Sequence, residues 1–376
     1  MCFGVYKNLY NTKRSHSYME NMFITGATGL VGSTILEALV TQSELKIFYL
    51  LVRDKEKAKS KLNNILNKAN NLGKEVCLFE GNITKENFGL SQEEITLLKE
   101  VEEVYHLAAI ISLSKNNKDN IFKTNFDGTR NLLNIFKETK KLKNLFYFST
   151  AYVCGRQNET IKEEWLSKPI EFRNPYEESK WLAEDLIQQY LKDYKIPITV
   201  LRPSIIGSED KSKFDELKNQ TIYLHGAIIR KATLLQEEDK DIRLVGKPNT
   251  FINLITLEDI IKILLKIRSL QNKQIIYNLT NSKNCLAISF LEGLQKTINF
   301  RSKYIFTENL EENKLSETEK YIYQRTKHFF TYNLDSGLNW DSTNTDKLRE
   351  ELKLNQKDEI WLNNHAKNFF LTIKDE

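Results

Sequence analysis

The sequence predicts an α/β protein: a doubly wound parallel sheet followed by a smaller, mostly helical lobe. Three observations carry this. From Asn21 to about residue 207, short apolar runs alternate with amphipathic stretches of helical length. Glycines at 26, 29 and 32 separate the first apolar run from the first helical pattern. Beyond Gly207 the alternation fades and helical patterns take over. Strands alternating with helices make a parallel sheet covered on both faces.

Taken in order, Met22-Phe23-Ile24 is the first strand, and Leu30, Val31, Ile35, Leu36, Leu39 and Val40 mark the helix after it. Ile47–Val52 is continuous, short and apolar, as a fully buried strand should be. Residues 54–72 are helical, and Glu75–Phe79 is the third strand. Leu90–Lys99 is a short helix that Ser91 and Glu94 open as a capping box. Val101–Leu107 is the fourth strand, Asn117–Lys137 a helix and Leu145–Phe148 the fifth strand. Asn174–Tyr194 is a strong helix before a sixth strand, Ile198–Leu201. Residues 208–220 read as a charged loop, and Thr221–Leu235 and Leu257–Ile267 as helices. Residues 1–20 show little periodicity and are expected to be a tail.

The 376 residues are 40% hydrophobic and 28% charged, enough for a sizeable core. A net charge of +5, from 55 basic and 50 acidic residues, lacks the concentrated basic character of a nucleic-acid partner. The four cysteines, at 2, 77, 154 and 285, have no metal-ligand spacing and no disulfide-framework density. They read as reduced thiols of a cytoplasmic protein. No apolar run approaches the ~20 residues of a membrane helix, and no hydrophobic signal segment opens the chain.

The glycine turn points to a dinucleotide. Gly26 suits a backbone conformation closed to other residues. Gly29 leaves room for a pyrophosphate, and Gly32 lets the helix pack close to the strand. The helix start then offers free N–H groups and a positive dipole end to the phosphates. Thr28, Leu30 and Val31 of the same turn join this site. Residues 21–207 are therefore expected to bind the cofactor, and 208–376 to form the substrate lobe with some strands returning to the main sheet.

The second strand ends in Arg53 and Asp54, where a ribose is read. Arg53 comes first and suits a 2′-phosphate held bidentately, so NADPH is expected over NADH. Lys55 and Lys57 read as a solvated helix face. Asn82 and Ile83, after the third strand, are expected to meet the adenine. Small Ala108 and Ala109, after the fourth, let the cofactor lie on the sheet edge. Pro203 and Ser204, after the sixth, face the nicotinamide end.

The sharpest pattern is Tyr176-Glu-Glu-Ser-Lys180. At a spacing of four the phenol and ammonium share one helix face, so Lys180 should lower the phenol pKa towards working pH. Asn174 as N-cap, Pro175 at the first helical position and Glu177 two further fix the helix start there. Thr150, ahead of Ser149, is expected to hydrogen-bond a substrate carbonyl at the end of the fifth strand. Asn125 is either an active-site amide or a buried structural one. His106 reads as a strand-end packing or hydrogen-bonding residue rather than a catalyst, and Cys154 as a buried thiol.

Together the glycine loop, Asn125 with Gly128-Thr129, Ser149-Thr150, Tyr176/Lys180 and Leu201-Arg202-Pro203 resemble the extended short-chain dehydrogenase/reductase superfamily. Leu51-Val52-Arg53, Asn82-Ile83-Thr84, Phe88-Gly89-Leu90-Ser91 and Asn253–Asp259 narrow the resemblance to the thioester reductase and fatty acyl-CoA reductase ("male sterility") branch. The resemblance implies a Rossmann-type sheet, an NADPH site and a Thr150/Tyr176/Lys180 triad, with Tyr176 as acid. It also implies reduction of an acyl-CoA or acyl-carrier-protein thioester to an aldehyde, or on to an alcohol. The alternative is an extended reductase acting on a nucleotide sugar or a hydroxysteroid-like alcohol. Asn82 departs from the Asp usual at its position. The chain also lacks the large C-terminal domain and hydrophobic tail of many fatty acyl reductases.

Overall fold

In the computed structural model, the described residues are 20–373 apart from 158, 237–239, 299 and 336–337. All but Glu20 of the expected tail, and Cys2 with it, lie outside them. The strands of the large sheet are, in chain order, β1 (Asn21–Thr25), β2 (Ile47–Val52), β3 (Glu75–Glu80), β4 (Glu103–His106), β5 (Asn144–Phe148), β6 (Ile198–Pro203) and β7 (Ile276–Leu279). Their spatial order is β7-β6-β5-β4-β1-β2-β3. The ladders β1–β2, β1–β4, β2–β3, β4–β5 and β6–β7 are all parallel. Between β5 and β6 the Leu145 N–H donates to the Pro197 carbonyl at 2.7 Å and the Ser149 N–H to that of Leu201 at 2.8 Å. Every residue of β2 is buried, which explains its unbroken apolar run. β7 comes from the lobe half of the sequence and joins the sheet beside β6.

The chain divides into two compact units that interleave in sequence. The first holds the described residues up to 110, with 119–148 and 182–199. Its core is aromatic: Phe23 lies 5.9 Å from Phe88 and 5.8 Å from Phe136, ring centre to ring centre. Phe88 is fully buried with φ at +59°, a rare conformation for a bulky residue. Its carbonyl accepts the Asn82 N–H at 2.8 Å, which closes the loop after β3. The helix Gln92–Leu98 opens with the expected Ser91/Glu94 capping box.

The expected helix over 117–137 is instead three pieces. Lys118–Phe122 is α-helical, Lys123–Asp127 is a wider π turn and Gly128–Phe136 is α-helical again. Such π turns recur at functional sites.

The second unit comprises 111–118, 149–181 and the described residues from 200 onward. Its helices include Pro175–Tyr194 in part, Thr221–Leu234, Leu257–Ser269, Ala287–Gln295 and Glu359–Thr372. The region expected as loop, 208–220, holds a short helix, Phe214–Leu217, because Phe214 and Leu217 bury themselves in the lobe core. In that core Phe214, Tyr223, Phe290 and Phe369 meet edge to face or tilted. There the Tyr223 hydroxyl and His365 Nε2 hydrogen-bond at 2.8 Å. Leu257–Ser269 is N-capped by Thr256, starts with Glu258 and Asp259 and ends with Lys266 and Arg268, so its charges complement the helix dipole at both ends.

Candidate active site

In the first unit the glycine turn is shaped by close approach. Gly26 has φ +78°, and a Cβ there would lie 2.7 Å from the Ala108 nitrogen. A Cβ on Gly32 would lie 2.1 Å from the Gly26 carbonyl oxygen. Gly29 differs: it is exposed, and only the Gly26 oxygen, at 3.3 Å, would meet its Cβ. The helix Leu30–Gln42 begins at Gly29 with no side-chain cap and no acidic residue in its first turn. Unblocked space, uncapped N–H groups and no competing carboxylate fit a dinucleotide pyrophosphate. Thr28 and Val31 are half-buried beside this space, and Leu30 packs into the core.

Arg53 is exposed directly after β2. Asp54 is engaged elsewhere, its Oδ1 accepting the Lys57 N–H at 2.9 Å as an N-cap. Lys57 points into solvent, its side chain 87% exposed. The carboxylate that would hold an unphosphorylated ribose is thus tied to a helix, and the guanidinium beside it faces outward.

After β3 the Asn82 Oδ1 accepts both the Thr84 N–H and the Thr84 hydroxyl, each at 3.0 Å. Thr84 thus engages both lone pairs of this oxygen, and the Asn82 amide N–H groups are the polar atoms left for a ligand. Ile83 is buried against Gly128, where a Cβ would lie 3.1 Å from the isoleucine side chain.

Ala108 and Ala109 are half-buried on the loop after β4, and a buried hydrogen-bond chain fixes that loop. The Thr129 hydroxyl donates to the Asn125 carbonyl at 2.6 Å and lies 3.0 Å from His106 Nε2. His106 Nδ1 lies 2.7 Å from the Thr25 hydroxyl, which accepts the Ala108 N–H at 3.2 Å. The Thr129 proton goes to the Asn125 carbonyl, so His106 Nε2–H donates to Thr129. Both ring nitrogens of His106 are thus held by hydroxyls. Asn125 is buried; its Oδ1 accepts the Ile110 N–H at 2.8 Å and its Nδ2 donates to the Ile110 carbonyl at 3.1 Å. It pins the strand-end loop from inside the π turn.

Thr150 and Tyr176 belong to the second unit. Thr150 lies two residues past β5, and its Oγ1 accepts the Tyr152 N–H at 3.3 Å, capping the turn Ala151–Cys154. The Tyr176 helix starts as its sequence indicates. Asn174 Oδ1 accepts the Glu177 N–H at 3.1 Å, and Glu177 Oε2 reaches back to the Arg173 N–H at 3.0 Å. The Thr150 hydroxyl acts on the Tyr176 phenol. Burial of the hydroxyl pushes the phenol up to about 12, Thr150 opposing this and the Glu177 charge adding to it. The expected lowering by Lys180 is overruled by desolvation. Lys180 is itself buried one turn further on.

Ser149 and Ser204 are buried with hydroxyls that have no hydrogen-bond partner among the described residues. Unsatisfied hydroxyls at the ends of two sheet strands fit a bound polar group. Pro203 is buried at the end of β6. Cys154 is inert: burial, the main cause, pushes its thiol up to about 12. What the sequence does not disclose is Tyr332. Its hydroxyl meets both Asn174 and Glu177 at the start of the Tyr176 helix.

A family model described as male sterility protein matches residues 24–258. Fatty acyl-CoA reductase 1 of Xenopus laevis is 27% identical over 235 residues, covering 52% of this chain and 45% of that protein. The chain spans under half the length of the fatty acyl-CoA reductases it matches. Among solved structures, the terminal R domain of the myxalamid PKS-NRPS biosynthetic pathway has a TM-score of 0.70 at 19% identity, over 95% of this chain and 91% of that one. UDP-glucuronic acid 4-epimerase of Bacillus cereus has a TM-score of 0.64 at 18% identity, over 93% and 98%. These two share the fold. With the family match running from β1 into the lobe helix that begins at Leu257, the chain belongs to the male sterility family of NAD(P)-dependent oxidoreductases, within the extended short-chain dehydrogenase/reductase fold.

Proposed function

We propose that this protein reduces an acyl thioester, carried on CoA or on a carrier protein, with NADPH as hydride donor. The observation that carries the proposal is the Thr150–Tyr176 hydroxyl pair in a chain of this family, its phenol held protonated by burial. A protonated phenol is the form a reductase needs, because reduction consumes a proton at the substrate oxygen. The fatty acyl-CoA reductase and PKS-NRPS reductase likenesses support the thioester as substrate class.

Gly26, Thr28, Gly29, Leu30, Val31 and Gly32 would hold the pyrophosphate, Arg53 the 2′-phosphate, Asn82 and Ile83 the adenine, and Ala108 and Ala109 the sheet-edge face. Lys180, Pro203 and Ser204 would hold the nicotinamide end. When bound, the reduced nicotinamide supplies a hydride to the thioester carbonyl. Thr150 and Tyr176 hydrogen-bond the carbonyl oxygen and stabilise the charge developing there. Tyr176 gives up its proton to that oxygen. The hemithioacetal then releases the thiol and leaves an aldehyde, which a second round would take to an alcohol. Cys77, Cys154 and Cys285 are buried and form no disulfide, as suits a reducing, cytoplasmic setting. No described helix is long and apolar enough to cross a membrane.

The test mixes the protein, NADPH and a panel of acyl-CoAs and acyl-carrier proteins, and follows NADPH loss and thiol release together. Coupled loss and release is expected, one NADPH per thiol for an aldehyde and two for an alcohol. NADPH loss without thiol, on nucleotide sugars or ketones, would contradict the proposal. Arg53→Ala should raise KM for NADPH by on the order of tenfold and leave NADH almost unaffected, since a hydrogen bond to a charged group contributes about 1.5–3 kcal/mol.

A further inference from the structure

The Tyr176 helix and the Thr150 turn are separate pieces of chain, and hydride transfer needs their hydroxyls aimed at one oxygen. Each is braced from the same distant part of the sequence. The Tyr332 hydroxyl accepts from Asn174 Nδ2 at 2.6 Å and donates to Glu177 Oε1 at 2.7 Å. These two side chains are the ones that cap the Tyr176 helix. One hydroxyl has one proton and so closes this pair in a single direction.

Arg173 extends the brace. Its side chain is fully buried; it donates to the Gly155 carbonyl at 2.6 Å and to Asp335 at 2.5 Å, and it lies over the Tyr332 ring at 5.4 Å. Gly155 directly follows the Thr150 turn. The turn is gripped from its other side by Trp340, whose Nε1 donates to the Ala151 carbonyl at 2.9 Å. The ring of Tyr152, inside the turn, meets both Tyr332 and Trp340 edge-on, at 5.7 and 5.6 Å.

We infer that Tyr332 is a positioning residue of the active site, holding the Tyr176 helix start and the Thr150 turn in the mutual register that reaction requires. It touches neither reacting group and acts through Asn174, Glu177 and Arg173. The inference rests on the proposed reduction for its kinetic readout, and the brace itself has an independent one. Misplacement of reacting groups by about 1 Å can cost up to a hundredfold in rate, so loss of the Tyr332 hydroxyl with its two bonds is expected to cost about tenfold.

The experiment compares the full chain with Tyr332→Phe, which keeps the ring contacts and deletes the hydroxyl. In acyl-thioester reduction kcat should fall about tenfold while KM for NADPH stays unchanged. The solvent deuterium isotope effect should rise as proton delivery from Tyr176 becomes slower. Asn174→Ser keeps a helix cap and removes the donor to Tyr332; it should behave like Tyr332→Phe, and the double variant should be no worse than either. An unchanged kcat and isotope effect per folded molecule, with only Tm lowered, would overturn the inference and leave a structural contact. If the wild-type chain reduces no thioester, the proposed substrate falls, and labelled-tyrosine NMR then decides the brace. The Tyr176 resonance, assigned by its loss in Tyr176→Phe, should shift in Tyr332→Phe; an unshifted resonance overturns the inference.

Discussion

At the scale of single residues, the proposed chemistry turns on one phenol. Tyr176→Phe should lower turnover by about a hundredfold to ten-thousandfold, the usual contribution of a positioned acid, while the Kd for NADPH changes little. The sign of its pKa shift sets the pH profile. Because burial raises the phenol to about 12, the acid form persists across neutral pH, and the reductive rate should fall only as pH approaches that value. The reverse oxidation needs the deprotonated form and should climb with pH over the same range. A reductive profile already falling near neutrality would show that Tyr176 is not the proton donor.

The glycines separate fold from binding at the same scale. Gly32→Ala places a Cβ 2.1 Å from backbone oxygen and should lower Tm markedly. Gly29→Ala meets backbone only at 3.3 Å, so Tm should hold while NADPH affinity drops. Equal Tm losses in a melting comparison would refute the distinction. Much of this was legible because glycine spacing states directly where side chains cannot go. The height of the phenol pKa was not, since Lys180 is visible in the sequence and the desolvation of a hydroxyl is not.

At the scale of elements, signals that are local in sequence were carried into the structure. The Ser91/Glu94 capping box and the Asn174-Pro175 helix start appear as hydrogen bonds across three residues. Elements shaped by distant partners were not legible. The helix over 117–137 keeps a helical apolar pattern, yet widens to a π turn at Lys123–Asp127, where Asn125 bonds Ile110 across 15 positions. Arg173 meets Asp335 across 162 positions, so the brace on the Tyr176 helix has no local trace. Asn125→Ala removes two part-buried hydrogen bonds to Ile110 and should cost about 1–3 kcal/mol of stability, measured by denaturant unfolding. A cost under about 0.5 kcal/mol would mean that the loop after β4 is held by other contacts.

At the scale of the whole molecule, the alternation of strands and helices announced the parallel sheet. The interleaving of its two units was not announced, because 149–181 leaves the first unit between two segments that belong to it. Buried titratable groups of the lobe set how the protein meets acid. Burial drives His225 and His365 down from 6.5 to about 4. Below pH 6.5 the unfolded chain therefore binds protons that these folded histidines refuse, so stability falls as pH drops and levels off near 4. His365→Gln should flatten part of that slope in a series of Tm measurements against pH.

The most direct measurement of the central claim uses NADPH carrying deuterium at its transferable position and an acyl-CoA, with mass spectrometry of the products. One deuterium is expected on the former carbonyl carbon of the aldehyde for each CoA thiol released, with both slowed by about a hundredfold or more in Tyr176→Phe. Thiol release with no label in the product, or label transferred without thiol release, would contradict reduction of a thioester by this chain.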